Sequence, residues 1–93
     1  MIVSFQDADT EDIFAGVRSR KLPPSLRRTA MRKLWMIDAA VSLKDLRVPP
    51  GNRLEKLSGK FADYHSIRIN DQWRVRFRWI NNNAHDVEII DYH

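Results

Sequence analysis

Residues 74–79, RVRFRW, set Arg74, Arg76 and Arg78 in strict alternation with Val75, Phe77 and Trp79. Side chains of a strand alternate between its faces, so the guanidinium groups share one side and the apolar residues the other. Arg68, in the segment HSIRIN, joins the same row if the two segments pair as a hairpin. Like charges facing one another across strands repel mildly. The row therefore calls for an acid on a neighbouring strand, with Glu88 as the candidate, or for a polyanion laid across the face. Arginine suits the second case because its planar fork matches phosphate oxygens. The last residues, Asp91, Tyr92 and His93, add an acid, a phenol and an imidazole. Histidine transfers protons near neutral pH, and tyrosine donates a hydrogen bond or stacks on a base. If Val87 and Ile89 face the core, Asp91 and His93 share that side and Tyr92 faces away. A twisted strand end is then needed to bring them to one site.

Other chemistries lack their residues. The chain has no cysteine, which removes disulfides, thiol nucleophiles and zinc–thiolate sites. It carries no glycine-rich phosphate loop, HExxH pair or serine elbow, and His65, His85 and His93 are not spaced as metal ligands. No metal and no cofactor is expected. Phosphodiester chemistry here would use the 2′-hydroxyl of RNA as nucleophile, with protein groups moving protons and arginine stabilising the developing charge.

The elements that must position these groups follow from periodicity and punctuation. MIVSF reads as a first strand. DADTEDIFAGVRSRK reads as a helix capped by Asp9 or Thr10, with Arg18, Arg20 and Lys21 near its C-terminal end. After LPPS, Ser25 is the expected cap of a second helix over 25–42, whose apolar stripe is Leu26, Ala30, Leu34, Ile37 and Val41. Arg27, Arg28, Arg32 and Lys33 fall outside that stripe, as a solvated face or as a contact for phosphate or an acidic partner. Residues 42–66 are irregular, with RLEKL as a short strand. HSIRIN, WRVRFRWI and HDVEIIDYH follow as strands, with NNN at 81–83 as a turn, since asparagine tolerates left-handed backbone. The fold class expected is α+β: a mostly antiparallel sheet with two N-terminal helices on one face, in a single domain over residues 1–93. Trp73, Val75, Phe77 and Trp79 then face the helices and the arginines face outward.

The net charge of +4 is unevenly spread. Arg18 to Lys33 holds seven cations and no acid, and Arg53 to Arg78 holds seven cations against Glu55, Asp63 and Asp71. Such patches favour a polyanion, nucleic acid or an acidic protein. No apolar run approaches the roughly 20 residues that span a bilayer, and MIVSFQDADTED turns acidic too early for a secretion signal. A cytoplasmic location and no membrane partner are expected.

RKL at 32–34, DL at 45–46, PPGNRLEKLSG at 49–59, SIRINDQWRVRFRW at 66–79 and the ending VEIIDYH resemble the HigB toxins, also described as plasmid maintenance system killer proteins, of the RelE/ParE superfamily. The similarity covers nearly the whole chain. It implies a RelE-like twisted sheet with an open concave face. It also implies an mRNA endonuclease acting on translated messages in the ribosomal A site. The implied partner is a HigA-type antitoxin with a helix-turn-helix domain, through which the complex reaches operator DNA. Residue by residue, the resemblance implies Asp91, Tyr92 and His93 at the catalytic end and Arg74 on the scissile phosphate, with Arg68 and Arg76 as secondary contacts. Arg78, Lys56 and Lys60 complete the expected RNA-binding set. Some relatives have a histidine and a lysine where this chain has Glu55 and Ser58. Glu55 is therefore either a base or a salt-bridge partner of Arg53 or Arg74. Two other readings stand beside the nuclease: a ParE-like toxin that poisons DNA gyrase without cutting RNA, and a non-catalytic module binding only an acidic antitoxin segment.

Overall fold

A computed structural model describes residues 1–92, so His93 lies outside the described residues. Helices α1 (Ala8–Phe14) and α2 (Pro24–Ala39) precede strands β1 (Glu55–Lys56), β2 (Tyr64–Arg68), β3 (Trp73–Ile80) and β4 (Asn83–Asp91). The sheet order is β1-β2-β3-β4, and every neighbouring pair is antiparallel. This is the expected α+β architecture, with both helices on one face.

Several boundaries differ from the expectation, each for a local reason. MIVSF does not form a ladder: it touches the outer edge of β4 through two isolated parallel bridges, Ile2 with Ala84 and Phe5 with Val87. Asp7 caps α1, accepting the Thr10 N–H at 2.7 Å, because Asp9 and Thr10 are used elsewhere. Asp9 accepts the Ser19 hydroxyl at 2.9 Å, and the buried Thr10 hydroxyl accepts the Ile89 N–H at 3.1 Å. The helix ends at Phe14, and the chain turns away at Gly16, whose φ of +79° residues with a Cβ rarely adopt. Arg18, Arg20 and Lys21 are consequently beyond its last turn, and Lys21 folds back onto Asp7 at 2.5 Å.

Helix α2 begins at Pro24 without a side-chain cap, so Ser25 sits inside it. Proline at the first helical position fits because no N–H is needed there. The helix stops at Ala39, before Val41, which is 75% exposed. Asp45 accepts the N–H groups of Val41 and Ser42 and so organises the next turn, Leu43–Arg47. RLEKL contracts to β1, and β2 runs one residue earlier than HSIRIN, ending at Arg68. Asn70 ends it by accepting the Gln72 and Trp73 N–H groups at 2.9 and 2.8 Å.

Ala30, Leu34 and Ile37 of α2 pack on Ile67, Val75, Phe77, Val87 and Ile89, all fully buried or nearly so. Each large side chain removed from water contributes about 1.5–3 kcal/mol. Trp73 and Trp79 flank this core half-buried. Asn81 and Asn82 take the left-handed backbone expected of the NNN turn, with φ of 50° and 61°.

One feature of β4 resets its alternation. Arg76 pairs with Glu88 but Arg78 pairs with His85, so Asp86 and Val87 together oppose Phe77. This is a β-bulge, with Asp86 at φ 53°. It allows Ala84, Val87 and Ile89 all to point inward.

Candidate active site

The face of the sheet away from the helices carries Arg68, Arg74, Arg76 and Arg78, as alternation requires. Register places Tyr64, Ser66 and Arg68 opposite Arg78, Arg76 and Arg74. Repulsion along the row is relieved mostly from within the protein. Glu88 meets Arg76 at 2.6 Å, and Asp63 and Asp86 meet Arg78 at 3.1 and 3.2 Å. Arg68 pairs with Asp71. The acid of the bulge is thus one of the row's counter-charges, and together with Asp63 it raises the Arg78 pKa above its ordinary value.

Arg74 differs. Among the described residues it has no carboxylate partner; its Nη1 makes long contacts, 3.4 Å each, to the Arg53 carbonyl and the Ser66 hydroxyl. Its guanidinium lies 4.6 Å from the centre of the Tyr92 ring. The Tyr92 hydroxyl donates to Glu55 Oε1 at 3.1 Å. Glu55 therefore contacts neither Arg53 nor Arg74 as an ion pair; it accepts from the phenol. The side chains reach one place because Glu55 pairs with Ser66 across β1–β2, and Arg74 lies on β3 beside the end of β4. The Tyr92 N–H is pinned to the Gln72 carbonyl at 2.6 Å, fixing the chain just past β4.

Beside this group opens a cleft of about 320 Å³ lined by Glu55, Leu57, Phe61, Arg76, Ile90 and Tyr92 among others. Its floor combines an aromatic ring, an acid and a cation, the parts needed to hold a base and a phosphate together. Arg76 stacks on Phe61 at 4.2 Å and on Tyr64 at 5.6 Å, and its buried Nε has no hydrogen-bond partner among the described residues. A cleft of similar volume, about 310 Å³, lies by the helices and is lined by arginines and apolar residues without an acid or histidine. It offers no proton-transfer pair.

Not every expected site residue joins the cluster. Asp91 pairs in register with Trp73 and accepts from Gln72 Nε2 at 3.2 Å, on the opposite side of the strand from Arg74's partner Ile90. Lys56 sits at the edge of the cleft but pairs with His65, the parity opposite to Glu55. Lys60 lies over the Phe61 ring at 5.3 Å. Phe61, Tyr64, Ser66 and Ile90 were not anticipated. Extending the β2 alternation back by one residue would have found Tyr64. Phe61 sits in a short 3-10 turn, Gly59–Phe61, where no periodicity points to it.

Among the described residues, no group of three or more His, Asp or Glu side chains could hold a metal ion, and no helix is long and apolar enough to cross a membrane.

Two helices on one face of a four-stranded antiparallel sheet have the architecture of the RelE-like class of toxins. The model of the RelE-like toxin of the type II toxin–antitoxin system HigB matches residues 3–93, and the chain belongs to this HigB-like toxin family. It is 40% identical over 85 residues to "Toxin HigB-1" of Vibrio cholerae, covering 90% of each chain. It is 28% identical over 93 residues, the full length of both chains, to "Endoribonuclease HigB" of Proteus vulgaris. An uncharacterised protein of Haemophilus influenzae shares 40% identity over 72 residues, 77% of this chain and 71% of that one. As a type II toxin, the chain has an antitoxin partner.

Proposed function

We propose that this toxin is an endoribonuclease that cleaves mRNA on the ribosome, in the cytoplasm, and that a HigA-type antitoxin with a helix-turn-helix domain restrains it and carries the complex to operator DNA. The observation that carries the reading is the Arg74–Tyr92–Glu55 cluster: among the described residues, Arg74 alone of the open-face arginines lacks an acid and is left for a phosphate.

In the proposed reaction the RNA 2′-oxygen attacks the adjacent phosphorus, the bond to the 5′-oxygen breaks, and the products are a 2′,3′-cyclic phosphate and a 5′-hydroxyl. Glu55 takes the 2′-hydroxyl proton. Arg74 stabilises the charge gathering on the phosphoryl oxygens, an effect that grows as water leaves the site. Either His93 or Tyr92 protonates the leaving oxygen, and the other contacts the substrate base. The nucleophile belongs to the substrate, so the scheme requires no metal. Arg68, Arg76 and Arg78 guide the backbone, and Asp91 orients Gln72.

Brief induction of the chain in cells, with message 5′ ends mapped by primer extension, tests this. Codon-phased cuts that disappear in Arg74→Ala and His93→Ala support it. Intact messages with DNA damage would instead indicate a gyrase poison, and growth arrest untouched by either substitution would remove the site.

A further inference from the structure

Strand β1 is a sheet edge only two residues long, and its residues point in opposite directions. Glu55 serves the cleft. Lys56 is the register partner of His65, on the other side of the sheet, where a notch of about 180 Å³ opens beside the Leu43–Arg47 turn. It is lined by Leu43, Lys44, Arg47, Leu54, Lys56 and His65. Three cations and an imidazole converge with no carboxylate among the lining residues. Asp45, on the same turn, is engaged by the Val41 and Ser42 N–H groups at 2.9 and 3.0 Å.

His65 makes the notch more than a patch of surface charge. Its ring stacks against Phe77, with centroids 6.4 Å apart, which fixes its orientation. Its Nδ1 is buried without a hydrogen-bond partner among the described residues. A buried polar atom left unpaired is costly and is ordinarily satisfied by a partner or a ligand. Burial and the nearby Lys56 lower its pKa, which favours the neutral ring with one nitrogen free to donate.

We propose that this notch binds a backbone phosphodiester of the same RNA strand that enters the cleft, the strand turning round the β1 edge at Lys56. The proposal rests on the ribonuclease reading. Lys56 lines both cavities, and no further strand extends the sheet beyond β1 among the described residues. A phosphate in the notch would meet Lys44, Arg47 and Lys56, with the His65 N–H completing its coordination.

The test titrates the intact protein with dimethyl phosphate, a diester without ribose or base, and separately with inorganic phosphate, at constant ionic strength, reading amide and imidazole NMR signals. Saturable shifts at Lys44, Arg47, Lys56 and the His65 ring are expected with the diester and lost in the Lys44→Ala/Arg47→Ala variant. Both substituted side chains are exposed, so the fold is retained. A response to inorganic phosphate alone would overturn the RNA-strand assignment, and shifts equal in the variant would overturn the site. A second arm uses a non-cleavable 2′-deoxy oligonucleotide long enough to pass the β1 edge. The variant is expected to flatten the slope of log affinity against log salt by about 0.7 for each lost phosphate contact. An unchanged slope would overturn the proposal. Because dimethyl phosphate cannot be cut and Arg74 is intact, a failed cleavage assay with a positive titration would fault the ribonuclease reading and not the notch.

Discussion

The Arg74 guanidinium covers the Tyr92 ring at 4.6 Å while the phenol of that ring donates to Glu55 at 3.1 Å, so residues from β3, from just beyond β4 and from β1 act as one unit. Arg74→Lys keeps the charge but loses the planar stack and the two-pronged grip on phosphate. It is expected to slow single-turnover cleavage on programmed ribosomes by about 10²–10³-fold, the usual effect of removing one donor from a charge-stabilising site. Retention of full rate would show that charge alone suffices at this position.

Tyr92→Phe and Glu55→Ala break the same hydrogen bond from opposite ends. If the two side chains act together, the double variant loses less activity than the product of the two single losses. Strictly multiplicative losses in a double-mutant cycle would mean that the contact has no part in the reaction.

Glu88 holds Arg76 at 2.6 Å and so competes with any phosphate for it. Glu88→Gln is expected to tighten binding to non-cleavable RNA at low salt and to steepen the salt slope by about 0.7. Stability should change by no more than about 1 kcal/mol, since a partly exposed pair is worth little. Weaker RNA binding in this variant would mean that Glu88 positions Arg76 more than it opposes its ligand.

Asn52 is fully buried, and its amide donates to the Leu46 and Val48 carbonyls while Lys33 Nζ donates to its Oδ1 at 2.5 Å. Asn52→Leu strands all three groups. A loss of roughly 2–4 kcal/mol in denaturant unfolding is expected. A variant as stable as the parent would place water or another donor in that site.

Acid should act on the fold through His65. Its folded pKa is lowered below the ordinary 6.5 by burial and by Lys56, with Lys44 and Arg47 facing it from the Leu43–Arg47 turn. The unfolded chain therefore binds this proton more readily, and stability falls as pH drops below 6.5 towards the folded value. Asp7 acts in the same direction at lower pH. Burial alone would raise its pKa, but the bonds from Lys21 and Thr10 prevail and hold it below 3.8, so its contribution is lost only in stronger acid. His65→Gln should flatten the melting temperature between about pH 7 and pH 5; an unchanged slope there would assign the effect to other groups.

Strict alternation carried most of what was legible beforehand. It put Val75 and Phe77 in the core and the arginines outside, and it offered Glu88 as an acid for the row, which the structure pairs with Arg76. The Asp86 bulge was invisible because alternation counted back from Val87 does not reveal where an extra residue enters. The α1 cap was misplaced because Asp7, Asp9 and Thr10 are all competent caps, and only the tertiary partners Ser19 and Ile89 decide among them. Beside the cleft, Arg74 and Tyr92 were legible as candidates and the phenol–carboxylate contact was not. It joins residues 37 positions apart and depends on how β1 registers with β2.

Arg68, Arg76 and Arg78 each arrive already clasped by an aspartate or glutamate. An incoming strand must trade places with those carboxylates one at a time, which makes the sheet a grudging host for stray polyanions. Orientation is settled in advance, so little rotational freedom is surrendered on docking. A surface arranged in this way rewards a substrate that is presented to it in the right shape over one that merely carries charge.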